Sequence, residues 1–326
     1  MFSNWEKRRL ILITGAAGYI GSCVLKMFLN AGYNCIALDN LSHGYIEAID
    51  KRAIFLKLDL EDKTALRNLF LKYSIDCVIH LAATSNIQEC FLNPNECQKN
   101  NIDNTLNLLN VMKVFGVKKF IFASSAAVYD DIQEQLINEN SFLNPKNEYG
   151  KSKLEIERYL EKSNDFKYII LRCFNVAGAM NEFNVGACHT PATHLIPRVI
   201  KSIVNDIPFE IYGVNHKTFD GSCVRDYVHV EDVAFAYIKA YNNIDKYSGV
   251  LNVGSSKGYS VKEIIDKIEK IIGKKCTILE KEMRKNEASS LIADISKAKQ
   301  VLDWQPKNFI DEIIKSAYEW ENNRRY

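Results

Sequence analysis

The chain has 326 residues, of which 47% are hydrophobic and 25% charged, and 42 Lys and Arg against 40 Asp and Glu leave a formal net charge of +2. Such a composition is ordinary for a globular protein of one large or two smaller domains. The balanced charge argues against nucleic acid as a partner, since the basic clusters stand near the chain ends. No run of about 18 apolar residues predicts a membrane span. We therefore expect no membrane partner and a cytoplasmic location.

The nine cysteines are scattered through the sequence, without a CxxC pair, and the six histidines are equally dispersed. This pattern favours reduced thiols in a reducing compartment and predicts neither a metal site nor a disulfide framework. The basic residues 7–9 and the apolar stretch behind them resemble a lipoprotein signal only loosely, because glycines interrupt the stretch. We expect no cleaved leader there.

Short runs rich in Val, Ile and Leu alternate with segments of helical period in the first half of the chain. The predicted strands are 10–14, 34–38, 54–58, 77–81, 120–123 and 168–172. The predicted helices are 18–31, 63–72, 101–115 and 149–162. This alternation predicts an α/β fold with a Rossmann-type, doubly wound parallel sheet.

The pattern changes beyond residue 175, where loops bearing Gly, Asn and Pro precede shorter elements and an amphipathic helix near 310–320. We predict a dinucleotide-binding domain over 1–175, with a return segment near 230–258. A smaller α/β substrate-binding domain is expected over 176–229 and 259–326. Residues 251–254 are a candidate for an added strand of the main sheet.

Gly15, Gly18 and Gly21 follow the first predicted strand and open a helix. Glycines so placed allow a tight turn, a close approach of backbone N–H groups to a pyrophosphate, and close packing of helix on strand. A glycine-rich turn can also simply connect a strand to a helix without binding a ligand. Asp39, about 20 residues further on, favours a nucleotide ribose and hence NAD over NADP, although an Asp often just begins a turn. Asp59, at the end of the third strand, is a second candidate for an adenine contact, although an Asp is also common after a strand.

Tyr149 and Lys153 are four residues apart at the start of a predicted helix and therefore share a face. A free tyrosine has a pKa of about 10, and a fixed cation beside it favours the phenolate that serves as a base. Ser125 follows the strand 120–123, at the carboxyl edge where ligands bind in open α/β sheets. Each feature alone also arises by chance, as an exposed Y-x-x-x-K or as a serine satisfying its own turn.

Taken together, these motifs resemble the extended short-chain dehydrogenase/reductase family over nearly the whole chain. The segments that carry the resemblance are Thr14-Gly15-Ala-Ala-Gly18-Tyr-Ile-Gly21-Ser, Asp39-Asn-Leu-Ser, His80-Leu-Ala-Ala83, Ser124-Ser-Ala-Ala-Val-Tyr129, Tyr149-Gly-Lys-Ser-Lys153, Arg172-Cys-Phe-Asn175, Thr193-His-Leu-Ile-Pro197, Val224-Arg225-Asp-Tyr-Val-His-Val-Glu-Asp232, Leu251-Asn-Val-Gly254 and Leu302-Asp-Trp304-Gln-Pro306.

The resemblance implies specific binding residues. Those lining NAD would be the three glycines with Tyr19, Ile20, Asp39, Asn40, Asp59, Leu60, Leu81, Ala82, Ala83, Thr84, Asn100, Tyr149, Lys153 and Phe174. Those lining a UDP-linked sugar would be Ser125, Asn175, His194, Leu195, Tyr212, Arg225, Arg284, Glu287 and Leu291. For Arg225 the chemistry is independent support, since a guanidinium binds a diphosphate in a bidentate way, with a surface ion pair to Asp226 or Asp232 as the alternative.

The activity implied is epimerisation at C4 of the sugar, with Ser125, Tyr149 and Lys153 as catalytic residues, bound NAD and a homodimer built on helices 101–115 and 149–162. A 4-epimerase of N-acetylated UDP-sugars is the nearest alternative. A dehydratase or decarboxylase would carry an acidic residue beside Ser125, where this chain has Ala126 and Ala127. A non-catalytic dinucleotide-binding protein is expected to lack the Tyr149 and Lys153 pair. The family's R-x-G-D segment is only partly kept, as Arg284-Lys-Asn-Glu287.

Overall fold

A computed structural model of the protein describes residues 9–129, 136–188, 192–283, 288–324 and 326. Within these ranges the strands, numbered along the chain, are β1 (Leu10–Thr14), β2 (Cys35–Asp39), β3 (Ile54–Lys57), β4 (Ile75–His80), β5 (Lys119–Ser125), β6 (Lys167–Cys173), β7 (Asn175–Ala177), β8 (Ala179–Met180), β9 (Val185–Gly186), β10 (Phe209–Tyr212), β11 (Val224–His229), β12 (Gly249–Val253), β13 (Gly258–Ser260), β14 (Ile278–Lys281) and β15 (Ser290–Leu291). The helices are α1 (Tyr19–Asn30), α2 (Lys63–Lys72), α3 (Ile87–Leu92), α4 (Pro94–Gln98), α5 (Asn104–Val114), α6 (Glu148–Lys162), α7 (Leu195–Val204), α8 (Val230–Asn243), α9 (Val261–Ile272), α10 (Ser296–Leu302) and α11 (Ile310–Asn322).

The main sheet has seven strands in the order β12-β6-β5-β4-β1-β2-β3. Pairing is parallel from β5 through β4, β1 and β2 to β3. Every residue of β1 and β2 is buried, as expected for strands covered on both faces. The predicted doubly wound fold is confirmed, and β12 supplies the added strand expected near 251–254. The strand order reverses between β1 and β4, where open α/β sheets bind ligands.

The predicted elements differ from the observed ones mainly at their ends. Strand β5 continues through Ser125, so this serine ends the strand instead of following it. The helix predicted over 101–115 begins as a π-helical turn, Lys99–Asp103, and α5 starts only at Asn104. The Asn101 side chain lies in this turn and hydrogen bonds to the backbone of Thr84.

The chain forms two compact units. The first holds the residues up to Val128, with Pro145–Arg172 and Ala234–Leu251. Its core packs apolar side chains of the sheet against those of α2, α5 and α6. In the described part of the chain no helix is long and apolar enough to cross a membrane.

The second unit holds Tyr129–Asn144, Cys173–Val233 and the chain from Asn252 onward. Its isoleucine-rich core combines side chains of α7, α9 and α11 with those of β10. The ends of β11 pair with different strands: β13 and β15 flank its first residues, whereas β7 pairs with its last three.

The prediction that all cysteines are reduced is wrong for one pair, because Cys90 and Cys97 form a disulfide with their Cα atoms 5.0 Å apart. Cys90 lies on α3 and Cys97 on α4, and the break between the two helices at Asn93 allows the thiols to meet. The two cysteines are seven residues apart and form no CxxC pair, so no short-range pattern predicts this bond. Within the described residues the other seven cysteines form no disulfide. Among the described ranges no group of three or more His, Cys, Asp or Glu is arranged to hold a metal ion.

Candidate active site

The turn between β1 and α1 requires glycine at two positions. Gly15 has a φ of +68°, and a Cβ on it would lie 2.6 Å from the backbone nitrogen of Ala82. A Cβ on Gly21 would lie 1.9 Å from the carbonyl oxygen of Gly15. Any side chain at either position would push the turn away from β4 or α1 away from the turn. The N-terminus of α1 follows Gly18, which has no side chain to cap it, so its N–H groups suit an anion.

Asp39, the last residue of β2, connects this turn with the next loop. Its carboxylate accepts hydrogen bonds from the backbone N–H groups of Ala17, at 2.9 Å, and Leu41, at 2.8 Å. Asp39 therefore shapes the turn that it begins and also binds the backbone of the glycine turn. The Asn40 amide donates to the Asp59 carboxylate at 2.8 Å, so the loops after β2 and β3 lie side by side.

The segment after β4 is held against the π-helical turn. Asn101 accepts a hydrogen bond from the Thr84 backbone N–H at 2.8 Å and donates to the Thr84 carbonyl oxygen at 3.0 Å. Asn100 donates to the Thr84 hydroxyl at 3.2 Å. Asn101 also donates to Ser152 of α6, whose hydroxyl donates to the Tyr149 carbonyl oxygen. The 81–84 segment and the start of α6 are thus tied together through one buried amide.

Tyr149 and Lys153 share a face of α6, as their spacing predicts. Lys153 is buried, and its Nζ lies 5.7 Å from the centre of the Tyr149 ring and 4.9 Å from that of Phe122 on β5. The ammonium is therefore held beside the phenol at a fixed site in the first unit. Asn147 caps the helix by accepting a hydrogen bond from the Gly150 N–H at 2.8 Å.

Ser125 lies next to the same end of α6. A Cβ on Gly150 would come within 2.2 Å of the carbonyl oxygen of Ala127, so the helix start packs directly on the turn after Ser125. The Ser125 hydroxyl oxygen accepts the Ala127 N–H at 3.1 Å. An oxygen that accepts this bond keeps its own O–H for donation to a ligand oxygen.

His80 is a buried residue of this region to which the sequence motif His80-Leu-Ala-Ala83 assigned no separate role. Its two ring nitrogens hydrogen bond to the hydroxyls of Thr14, at 2.8 Å, and Thr105, at 2.9 Å. Burial, and secondarily the Lys153 ammonium, lower the pKa of His80 to about 3. The imidazole is therefore neutral, and its two hydrogen bonds connect Thr14 of β1 with Thr105 of α5.

The candidate sugar-binding residues other than Ser125 lie in the second unit. Asn175 begins β7, His194 and Leu195 stand at the start of α7, and Tyr212 ends β10, where its hydroxyl donates to Glu210 at 2.7 Å. Phe174, a candidate cofactor residue, is buried in the same unit. Arg284 and Glu287 lie outside the described residues.

Arg225 and Leu291 are brought together by strand register. Leu291 of β15 lies directly opposite Arg225 of β11. In a parallel pair, residues in register point to the same face, so a guanidinium and a leucine side chain share one surface. Both side chains are half-buried.

Asp226, which the sequence offered only as an ion-pair partner of Arg225, has a different structural role. It is fully buried and accepts hydrogen bonds from the N–H groups of Ser255, at 2.7 Å, Ser256, at 3.0 Å, and Ala293, at 3.1 Å. Burial raises the pKa of Asp226 to about 6. Asp226 thus ties β11 to the segment that carries Leu291. The sequence signal for this buried role is that Asp226 shares its face of the strand with Val224 and Val228.

Comparison with known proteins gives consistent results. Residues 11–254 match the model of the NAD dependent epimerase/dehydratase family. A UDP-glucose 4-epimerase of Lacticaseibacillus casei is 38% identical over 320 residues, covering 96% of this chain and 97% of that protein.

Two solved structures show how far the likeness extends. The UDP-glucose 4-epimerase of Bifidobacterium longum, in complex with NAD+ and UDP, superposes with a TM-score of 0.91 at 33% identity, covering 96% of this chain and 98% of the other. The UDP-Glc/GlcNAc 4-epimerase of Campylobacter jejuni superposes with a TM-score of 0.83 at 36% identity, covering 97% and 99%.

Proposed function

The chain belongs to the NAD dependent epimerase/dehydratase family, and from this premise we propose that it interconverts UDP-glucose and UDP-galactose through a 4-keto intermediate. The observation that carries the proposal is the buried Lys153 ammonium beside the Tyr149 ring, on a helix packed against the turn after Ser125. This arrangement offers a base and a hydroxyl donor for one sugar oxygen. The alanines after Ser125 lack the acid that a dehydratase or decarboxylase would need there.

The residues of the first unit fit a bound dinucleotide. The glycine turn leaves no room for a Cβ at Gly15 or Gly21 and presents the uncapped N-terminus of α1, which suits a pyrophosphate. Asp39 stands at the end of β2, where a carboxylate binds ribose hydroxyls. We therefore assign NAD to these residues, with Tyr19, Ile20, Asn40, Asp59, Leu60, the 81–84 segment, Asn100, Lys153 and Phe174 as the further contacts implied by the family.

The chain's own groups move and hold the proton. NAD held by the first-unit residues named above would supply the hydride chemistry at sugar C4. Tyr149 removes the proton of the 4-hydroxyl as a phenolate and returns it when the ketone is reduced. Lys153 stabilises that phenolate electrostatically, and Ser125 donates a hydrogen bond to the reacting oxygen.

For the nucleotide-sugar we propose the second-unit residues. Arg225 would bind the diphosphate with its planar fork of donors. Asn175, His194, Leu195 and Tyr212 would line the remainder, together with Arg284 and Glu287. Leu291, in register with Arg225, would limit the space for a substituent at sugar C2.

Substrate choice has a specific alternative. The Campylobacter jejuni relative is a UDP-Glc/GlcNAc 4-epimerase, so N-acetylated sugars are the second candidate class for this chain. A large residue at position 291 favours the smaller, unacetylated sugars.

Incubation of the purified protein with UDP-glucose, UDP-galactose and their N-acetyl forms, followed by chromatographic separation, tests the proposal. We expect rapid interconversion of the first pair and slower turnover of the second. Absence of turnover with all four sugars, in protein shown to be folded and supplied with NAD, would contradict it.

One further proposal follows the family's usual pattern. We propose a homodimer formed through α5 and α6 of each copy, which light scattering of the purified protein will test. The division into a dinucleotide-binding and a substrate-binding domain, and a cytoplasmic location, remain predictions.

A further inference from the structure

Helix α6 carries a buried acidic residue on the same face as Tyr149 and Lys153. Glu157 follows Lys153 by four residues, so all three side chains lie along one face. Glu157 is fully buried, with 0% exposure, and its partner Arg172 is 1% exposed. The mechanism uses neither charge, although an ion pair in the core is costly to form.

The Glu157 carboxylate joins three elements of the first unit. It accepts a hydrogen bond from Arg172 Nη2 on β6 at 2.6 Å and another from Arg172 Nε at 3.1 Å. It also accepts a short hydrogen bond from the hydroxyl of Ser124 on β5. Ser124 directly precedes Ser125. One side chain therefore fixes the helix of Tyr149 to the strand of Ser125.

A second contact holds the other end of α6. Gly150 packs so closely on the Ala127 carbonyl that a Cβ would lie 2.2 Å from its oxygen. Close packing there sets how near the helix comes but does not set its rotation, because glycine has no side chain to direct. A helical side chain moves by about 100° per residue, so a directional contact further along the helix restrains its rotation and axial position.

We propose that Glu157, oriented by Arg172 and Ser124, is a positioning residue that sets the rotation of α6 and thereby the placement of the Tyr149 phenol relative to the Ser125 hydroxyl. The inference rests on the proposed epimerase function. Stability alone does not require this trio, because well-packed apolar residues can replace a buried ion pair with little or no loss of stability. Apolar residues fill the space but do not fix the direction of a contact.

The decisive experiment uses the difference between filling the space and fixing the direction of the contact. The double variant Glu157→Leu/Arg172→Met removes both charges together and leaves neither one unpaired. We expect its thermal unfolding temperature to stay close to that of the wild type. We also expect kcat to fall roughly 10- to 100-fold, as misplacement of a catalytic group by about 1 Å allows. The KM for UDP-galactose should change little, and the lower limb of the pH–rate profile should move to higher pH.

Ser124→Ala is the second variant, since it removes only the bond to β5 and should fold normally. We expect a smaller fall in kcat, about 10-fold at most, with the same direction of pH shift. Asp50→Asn is the matched control, because it breaks an ion pair of the same unit whose partners are Lys26 on α1 and Arg52. This control should keep the wild-type kcat and pH profile.

Wild-type kcat and pH profile in the double variant would overturn the proposal. If the double variant does not fold, the same result in Ser124→Ala overturns it instead. A loss of kcat in Asp50→Asn equal to that of the double variant would also contradict it, since the effect would then reflect general loosening. A folded wild type without epimerase activity would refute the proposed function, which is a separate outcome.

Discussion

The two units place their candidate residues in different ways. In the first unit the glycine turn, Asp39 and Ser125 all stand at strand ends of one parallel sheet, and α6 brings Tyr149 and Lys153 there. In the second unit Arg225 and Leu291 meet only because β11 pairs with a two-residue strand 66 positions away. Helical spacing within α6 thus pairs Tyr149 with Lys153, whereas long-range strand register pairs Arg225 with Leu291. Changes in the first unit should stop chemistry, and changes in the second should alter substrate preference.

The largest expected effect tests the catalytic side. Tyr149→Phe removes one hydroxyl and leaves the ring beside Lys153, so the fold should persist while kcat falls by about 10²-fold or more. Steady-state kinetics with UDP-galactose and a circular dichroism spectrum measure both. Tyr159→Phe, on the same helix, is the control and should keep full activity. Near-full activity of Tyr149→Phe would remove Tyr149 from the mechanism.

The next prediction concerns how α6 is seated. Alanine is the better helix former by about 1 kcal/mol, yet Gly150→Ala should lower kcat about 10-fold or more, because its Cβ would collide with the Ala127 carbonyl and displace Tyr149. Gly116→Ala meets no atom within 4 Å and carries only the strain of a φ of +70°. We expect Gly116→Ala to lower the free energy of unfolding and to leave kcat unchanged. Equal kcat in both variants would show that the helix start tolerates movement.

The residues in these two predictions differ in how far the sequence alone predicts their placement. The parallel strands and the spacing of Tyr149 and Lys153 were predictable, since each is a short-range pattern with a known period. Glu157 and Arg172 were missed, although an arginine in an apolar strand and a glutamate in helical phase with Lys153 are visible signals. The Cys90–Cys97 disulfide and the register of β15 depend on the path of the chain between distant or irregular segments, which no local pattern encodes.

Protonation should distinguish the units further. His80 has its pKa lowered to about 3, so it stabilises the folded protein above pH 6.5, and this contribution is lost as pH falls from 6.5 toward 3. The slope from this one group is about 1.4 kcal/mol per pH unit. The free energy of unfolding of His80→Gln, measured by urea titration, should therefore fall less steeply with acid than that of the wild type. Parallel curves would show that His80 is not buried and neutral.

Asp226 of the second unit should show the opposite sign. Its pKa is raised to about 6, so it favours folding below pH 4, and this contribution is lost as pH rises through 6. The Asp226 contribution to the free energy of unfolding decreases as pH rises from 4 to 6, so Asp226→Asn should make that free energy rise more steeply with pH over this range than in the wild type, the opposite of His80→Gln. The same titration measures it, and a change in the same direction would contradict the assignment.

The smallest expected effect is on substrate choice. Leu291→Ser should raise turnover of UDP-N-acetylgalactosamine relative to UDP-galactose, because a smaller side chain opposite Arg225 leaves room for the acetamide. A change of roughly 10-fold in the ratio of kcat/KM values is the scale expected for a steric contact of this kind. Leu279→Ser, on exposed β14, is the control. An unchanged ratio, or a wild type that handles both pairs equally, would show that Leu291 does not limit the site.

The most direct measurement of the central claim follows the hydrogen at sugar C4. UDP-galactose deuterated at C4 is incubated with the protein in ordinary water, and the UDP-glucose formed is analysed by mass spectrometry and NMR. If the hydride leaves C4 and returns to the same carbon while Tyr149 handles only the hydroxyl proton, the product keeps its deuterium at C4. Loss of the deuterium to solvent would contradict the account, because it would mean that C4 is epimerised by proton exchange.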